Sequence, residues 1–144
     1  WGIAGLIHDI DFSGDTKEDH PLKTREVLSK YNLEINDTIQ QIILSHDKRQ
    51  GSIMDSKAKW SIYCADSLTG LIMAVAFVYP DRKLSSVKVS SVTKRFLKEP
   101  KFAAGTRRDE VAECANPNGL NLPLEKFIEI CLTSMQAVSS TLGL

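Results

Sequence analysis

The residue types in this 144-residue chain that bind transition metals fall in a short ordered series: His8 and Asp9 side by side, then His20, His46 and Asp66. Mixed imidazole and carboxylate ligation suits Fe, Mn, Co or Zn better than Ca. Consecutive residues on a helix point about 100° apart, so His8 can grip one ion while Asp9 reaches across to a second. A carboxylate bridges two ions and an imidazole does not. Two adjacent ions make hydroxide available at neutral pH and hold the attacking and leaving oxygens of an in-line phosphoryl displacement, so the expected chemistry is phosphoester hydrolysis. Taken singly, a buried histidine is more often a hydrogen-bonded core residue than a ligand. Asp66 is harder to read as inert. It lies in Tyr63-Cys64-Ala65-Asp66-Ser67-Leu68-Thr69-Gly70, within the helix expected to be the most buried, where a carboxylate needs a cation or several hydrogen bonds.

The elements that must position these residues all read at helical period, with no run of strand alternation. Ile3, Leu6, Ile7 and Ile10 form a first amphipathic stretch stopped by Ser13-Gly14-Asp15, and His20-Pro21 is placed to open a second helix, since proline suits the first helical position. Asn36 or Asp37 caps a third, whose stripe Ile35, Ile39, Ile42 and Ile43 continues to His46. A long helix from Lys57 to about Tyr79, apolar almost all round in its second half, is expected at the centre and is stopped by Pro80. Val87 to Leu97 and Thr106 to Ala115 read as shorter helices, and Asn116-Pro117-Asn118-Gly119 as a turn. The last helix follows Pro123, with Leu124, Phe127, Ile128, Cys131, Met135, Val138 and Leu142 on one face and Gly143 as its stop. The expectation is an all-α bundle of six or seven helices in one domain, residues 1–144. Because Trp1 already sits inside a helical pattern with no leader before it, the chain is expected to start mid-domain.

Composition narrows the function further. Eighteen basic residues balance eighteen acidic ones and 42% of the chain is hydrophobic, which is the mix of an ordinary globular domain. The charge is unevenly spread: residues 1–47 hold nine acids against four bases, whereas residues 82–108 hold nine bases against Glu99 alone. Cys64, Cys114 and Cys131 are odd in number, widely spaced and without a CxxC pair, which fits core packing in a reducing, cytoplasmic setting. The apolar run Leu71–Tyr79 is too short for a bilayer, so no membrane partner is expected. Gly2-Ile3-Ala4-Gly5 lacks phosphate-loop spacing, and there is no G-x-S-x-G elbow for a serine hydrolase. A nucleic-acid partner is disfavoured because Phe96 and Phe102 are the only aromatics in the basic segment.

The ordered series resembles the HD-domain metal-dependent phosphohydrolases. Leu6-Ile7-His8-Asp9-Ile10-Asp11 is similar to the doublet that names the family, Ala65-Asp66 to its distal aspartate, and His20 and His46 to the two further histidines of its binuclear members. Asp66-Ser67-Leu68-Thr69-Gly70 and Phe127-Ile128-Glu129-Ile130 resemble an uncharacterised bacterial and archaeal branch, so the likeness spans the chain. It implies an HD-like fold and a binuclear site of His8, Asp9, His20, His46 and Asp66. A further histidine, upstream of the doublet in that family, has no counterpart here, and the resemblance implies that its helix has been truncated. A fragment lacking that ligand is not assured of activity.

Asp9 is also the expected catalytic anchor, with Lys23 beside the phosphate near a helix start. Arg107 and Arg108 are candidates to clamp a polyanionic substrate, against the plainer reading that they pair with Asp109 and Glu110. Asp11 either orients a ligand histidine or caps the loop at Ser13-Gly14. The expected function is metal-dependent hydrolysis of a small phosphorylated molecule, a nucleotide being the leading class. The alternative is a non-catalytic helical module that binds nucleotides or other anions for regulation.

Overall fold

The computed structural model describes residues 1–143, the Leu142 side chain excepted, so the place expected for that side chain lies outside the described part. The described residues are all-α, with no strand among them. Eight α-helices run in order: α1 (Gly2–Ile7), α2 (Thr24–Ser29), α3 (Asp37–Leu44), α4 (Lys57–Phe77), α5 (Val89–Lys98), α6 (Arg108–Ala112), α7 (Leu124–Ala137) and α8 (Ser139–Leu142). Single 3-10 segments lie at Gly14–Asp19, Lys48–Gln50, Leu84–Ser86 and Glu113–Ala115. The chain divides into two compact units, Trp1–Tyr63 and Cys64–Leu144, and the division falls inside α4.

In the first unit α1 packs on α3. The shared core is Ala4, Ile42, Ile43 and Ala58, with Ile7, Ile35, Ile39 and Ile62 packed around it. Asn36 starts α3 by accepting the Ile39 N–H at 2.9 Å, which satisfies one of the first-turn donors a helix leaves open. Ile3 and Leu6, expected on the inner stripe, are exposed instead. A helix of six residues resting on one neighbour buries little more than one position per turn, and here that position is Ala4. The helix expected to open at His20-Pro21 begins at Thr24. The Lys23 N–H that would enter it is donated to the Asp11 carboxylate at 2.8 Å, and the His20–Pro21 peptide is cis.

The second unit is built around a stripe of α4. Leu68, Leu71, Ile72, Val75 and Ala76 recur at i, i+3, i+4, i+7 and i+8 and are fully buried. Phe77 is exposed, so this helix is not enclosed all round as its composition suggests. By length and composition α4 could also cross a membrane, which the shorter run at Leu71–Tyr79 did not suggest. α5 packs on α7 through a face carrying Val92 and Phe96, and α7 buries Phe127, Ile128 and Leu132. Gln136 ties α7 to the 3-10 turn before α5 by donating to the Leu84 and Val87 carbonyls at 3.1 and 3.2 Å. α5 therefore begins two residues after Val87, whose backbone is extended. The expected Thr106–Ala115 helix is shorter and tightens into a 3-10 turn after Ala112. The final helix breaks at Val138, and Gly143 stops α8 in the left-handed region at φ +69°.

Candidate metal centre

All three histidines belong to the first unit, and each is placed by a backbone or side-chain acceptor at its Nδ1 atom. His8 follows the last residue of α1 and its Nδ1 lies 2.9 Å from the Gly5 carbonyl oxygen. His46 stands two residues beyond α3, with Nδ1 against the Ile43 carbonyl. Both residues use the same device, a bond to the main-chain carbonyl three residues back. His20 has no helix to lean on. Its Nδ1 faces Asp11 Oδ1 at 2.7 Å, and the other Asp11 oxygen takes the Lys23 N–H. Asp11 is fully buried, and Thr16 braces its strand of chain by donating to the Asp11 and Ser13 carbonyls.

These contacts decide which ring nitrogen carries the proton. A carbonyl or carboxylate oxygen only accepts, so each Nδ1 is the donor, and in the neutral ring each Nε2 keeps its lone pair. The Nε2 atoms of His20 and His46 are 2.9 Å apart. Asp9 Oδ1 lies 3.3 Å from the first and 3.8 Å from the second. Three electron-rich atoms thus converge, an arrangement that is unfavourable until a cation or an extra proton joins it. Asp9 Oδ2 meanwhile faces His8 Nε2 at 3.3 Å. The two oxygens of one half-exposed carboxylate are therefore turned to different imidazoles.

A simple test of size favours an ion. The circle through Asp9 Oδ1, His20 Nε2 and His46 Nε2 has a radius of about 2.0 Å, which matches the usual bond lengths of Zn and similar divalent ions to histidine and carboxylate. The donor set and its spacing fit the group that the sequence series implies. The rings are also mutually packed: His8 stands edge-on to His46 with centroids 5.1 Å apart, and His20 tilts against His46 at 4.9 Å. His20 and His46 are 8% and 4% exposed, so water competes poorly at their nitrogens.

The remaining expected site residues each have partners of their own. Asp66 lies in the second unit, where Arg107 Nη2 is paired with its carboxylate. Arg107 Nε bonds Glu110 as well. Burial works against the Arg107 charge, yet the two carboxylates raise its pKa above the ordinary value. Arg107, expected to clamp a substrate, thus holds two of the chain's own acids. Arg108 departs further from expectation: its guanidinium donates to the carbonyls of Phe102 at 2.7 Å, Phe96 at 3.1 Å and Glu99 at 3.3 Å, closing the C-terminal end of α5. Its assigned donors face the fold. Lys23 is the N-cap residue of the six-residue α2, and its ammonium pairs with Glu26 at 3.0 Å, which raises its pKa. Cys64 is no nucleophile, because burial pushes its thiol up to about 12.

What sequence reading missed is the pair of carbonyl anchors at Gly5 and Ile43. The available signal was position, since a histidine at or just past a helix end lies within reach of the last carbonyls. Comparison with known proteins adds no further constraint: no protein-family model, no curated protein and no solved structure matches the chain.

Proposed function

We propose that the chain is a metal-dependent phosphohydrolase of the HD-domain type, acting on a phosphoester of a small molecule. The observation that carries this reading is the convergence of the His20 and His46 Nε2 atoms and one Asp9 oxygen on a common centre, with the Nδ1 of each ring facing an acceptor oxygen. His20, His46 and Asp9 would hold one divalent transition-metal ion. A second ion rests on the resemblance of the ordered series alone. When bound, such ions activate water for attack on phosphorus and offset the charge that develops there.

The chain's own residues supply the rest. Asp11 fixes the His20 tautomer and orients its ring; carboxylate partners of this kind raise the basicity of a ligating imidazole. The Gly5 and Ile43 carbonyls do the same for His8 and His46. The half exposure of Asp9 leaves its carboxylate open to solvent and substrate, whereas the buried histidines are shielded.

Two measurements test the proposal. Elemental analysis of chain purified without chelator should find transition metal that falls away in the His20→Ala/His46→Ala variant. The chain loaded with Mn or Fe should then hydrolyse generic phosphoesters or members of a nucleotide panel faster than Asp9→Ala does. Metal without hydrolysis would leave a binding module, and no metal in either protein would remove the basis of the reading.

A further inference from the structure

Between Asp11 and His20, joined by the 2.7 Å bond from His20 Nδ1 to Asp11 Oδ1, the chain exposes an aromatic ring. Phe12 is 52% exposed, although its backbone is fixed by the bond from its N–H to the Asp9 carbonyl at 2.9 Å. Its ring stands edge-to-face with the His20 imidazole, centroids 5.0 Å apart and planes at 70°. The Lys17 ammonium lies over the same ring, 5.4 Å from its centroid. Lys17 is itself exposed and has no carboxylate partner among the described residues. An apolar ring held in water on a braced loop costs little further ordering when something stacks on it.

We infer that Phe12 is the specificity-determining residue of the Asp9–His20–His46 centre, a platform for the planar unsaturated ring of a ligand whose phosphate lies at that centre, with Lys17 as the cation at its rim. The inference rests on the function proposed above and adds a residue to it. The ring contacts His20 directly, so a group stacked on Phe12 lies within one small molecule's length of the converging donors. Lys17 covers the ring in the free chain; an aromatic ligand takes over that face and leaves the ammonium beside the anionic part of the same molecule. Stacking of a base on an aromatic side chain is worth about tenfold in affinity or more.

The test compares adenosine 5′-monophosphate with ribose 5-phosphate, which share sugar and phosphate and differ in the base. Calorimetry on the Mn-loaded chain should show the first binding about tenfold more tightly. Phe12→Leu should remove that preference while leaving ribose 5-phosphate affinity and metal content unchanged, and Phe12→Trp should restore it. Equal affinities in the parent, no binding of either compound, or an equal loss of both in Phe12→Leu would overturn the inference; in the last case the ring serves only to position His20. With phosphate release followed separately in the same samples, a chain that prefers the nucleotide but hydrolyses nothing would refute the hydrolase reading and leave the platform standing. Hydrolysis without any base preference would do the reverse.

Discussion

Replacing Asp11 by asparagine separates the shape of the site from its proton arrangement. Asp11 is fully buried and presents one oxygen to His20 Nδ1 at 2.7 Å and the other to the Lys23 N–H at 2.8 Å. An asparagine of the same size has one oxygen and one NH2. The Lys23 N–H can only donate, so the oxygen must stay with it and the NH2 must turn to His20. His20 Nδ1 then has to accept, and its proton moves to Nε2, the atom that faces His46 and Asp9. The variant therefore keeps two hydrogen bonds but puts a proton where an ion should sit. Exchanging two charge-assisted bonds for two neutral ones costs about 2 kcal/mol, and the new bond from His20 Nε2–H to His46 Nε2 returns about 1 kcal/mol, so the metal-free chain should lose only about 1 kcal/mol of stability. Loss of a carboxylate behind a ligand histidine should weaken the ion by about 10–100-fold. Nitrogen-15 NMR of the histidine rings reads the tautomer, urea unfolding the stability, and competition with a chelating dye the affinity for Mn or Zn. The reasoning fails if His20 in the variant keeps its proton on Nδ1, or if affinity stays within about twofold of the parent while stability falls as expected.

Three other outcomes follow from the same contacts. Arg108→Ala should destabilise the chain by about 2 kcal/mol, because several carbonyls at the end of α5 lose their donor, and Arg107→Ala by about as much, because the largely buried Glu110 and Asp66 carboxylates lose their cation; an unchanged urea midpoint in either variant would contradict this assignment. Burial favours the neutral form of Asp47, but Arg49 outweighs it and holds the carboxyl at about 2, below its ordinary 3.8. A folded pKa lowered in this way stabilises the chain above the ordinary value and loses that contribution as pH falls toward 2, so the stability difference between parent and Asp47→Asn should be about 1–2 kcal/mol at pH 5 and should vanish near pH 2. A difference that does not change over that range would refute it. Burial lifts the thiols of Cys64 and Cys131 to about 12, so both should resist iodoacetamide at pH 8 in the folded chain and react in urea, as peptide mapping would show.

Some of this was open to sequence reading and some was not. The stripe Ile35, Ile39, Ile42 and Ile43 led correctly to a buried His46, although α3 stops at Leu44 and the histidine reaches its place through a turn. Asn36 could be read as a cap because capping is a local affair. The arginines could not be placed, because their partners are remote. Arg107 meets Asp66 from forty-one residues away, and Arg108 closes a helix that ended ten residues earlier. Apolar type likewise said nothing about which of Ala4, Ile3 and Leu6 would face α3; the small residue is inside and the large ones are out. Local hydrogen bonds and periodic burial are written in neighbouring residues, whereas ion pairing and the choice of inner face depend on what the rest of the chain brings near.

The position of the histidines relative to helix ends links fold to chemistry. Standing at or just past the ends of α1 and α3, each ring places its Nδ1 against the main-chain carbonyl three residues back. The Ile43 carbonyl takes the His46 N–H at 3.2 Å as well as the ring Nδ1, which the two lone pairs of a carbonyl oxygen allow. The helix end leaves Nε2 as the only lone pair, and the α1–α3 packing through Ala4, Ile42 and Ile43 brings the two ends together. His20 lies in a turn, and its Nδ1 meets a buried carboxylate, Asp11, in place of a main-chain carbonyl. Two different devices, a carbonyl behind His8 and His46 and a carboxylate behind His20, therefore turn all three Nε2 atoms toward the one Asp9 carboxylate.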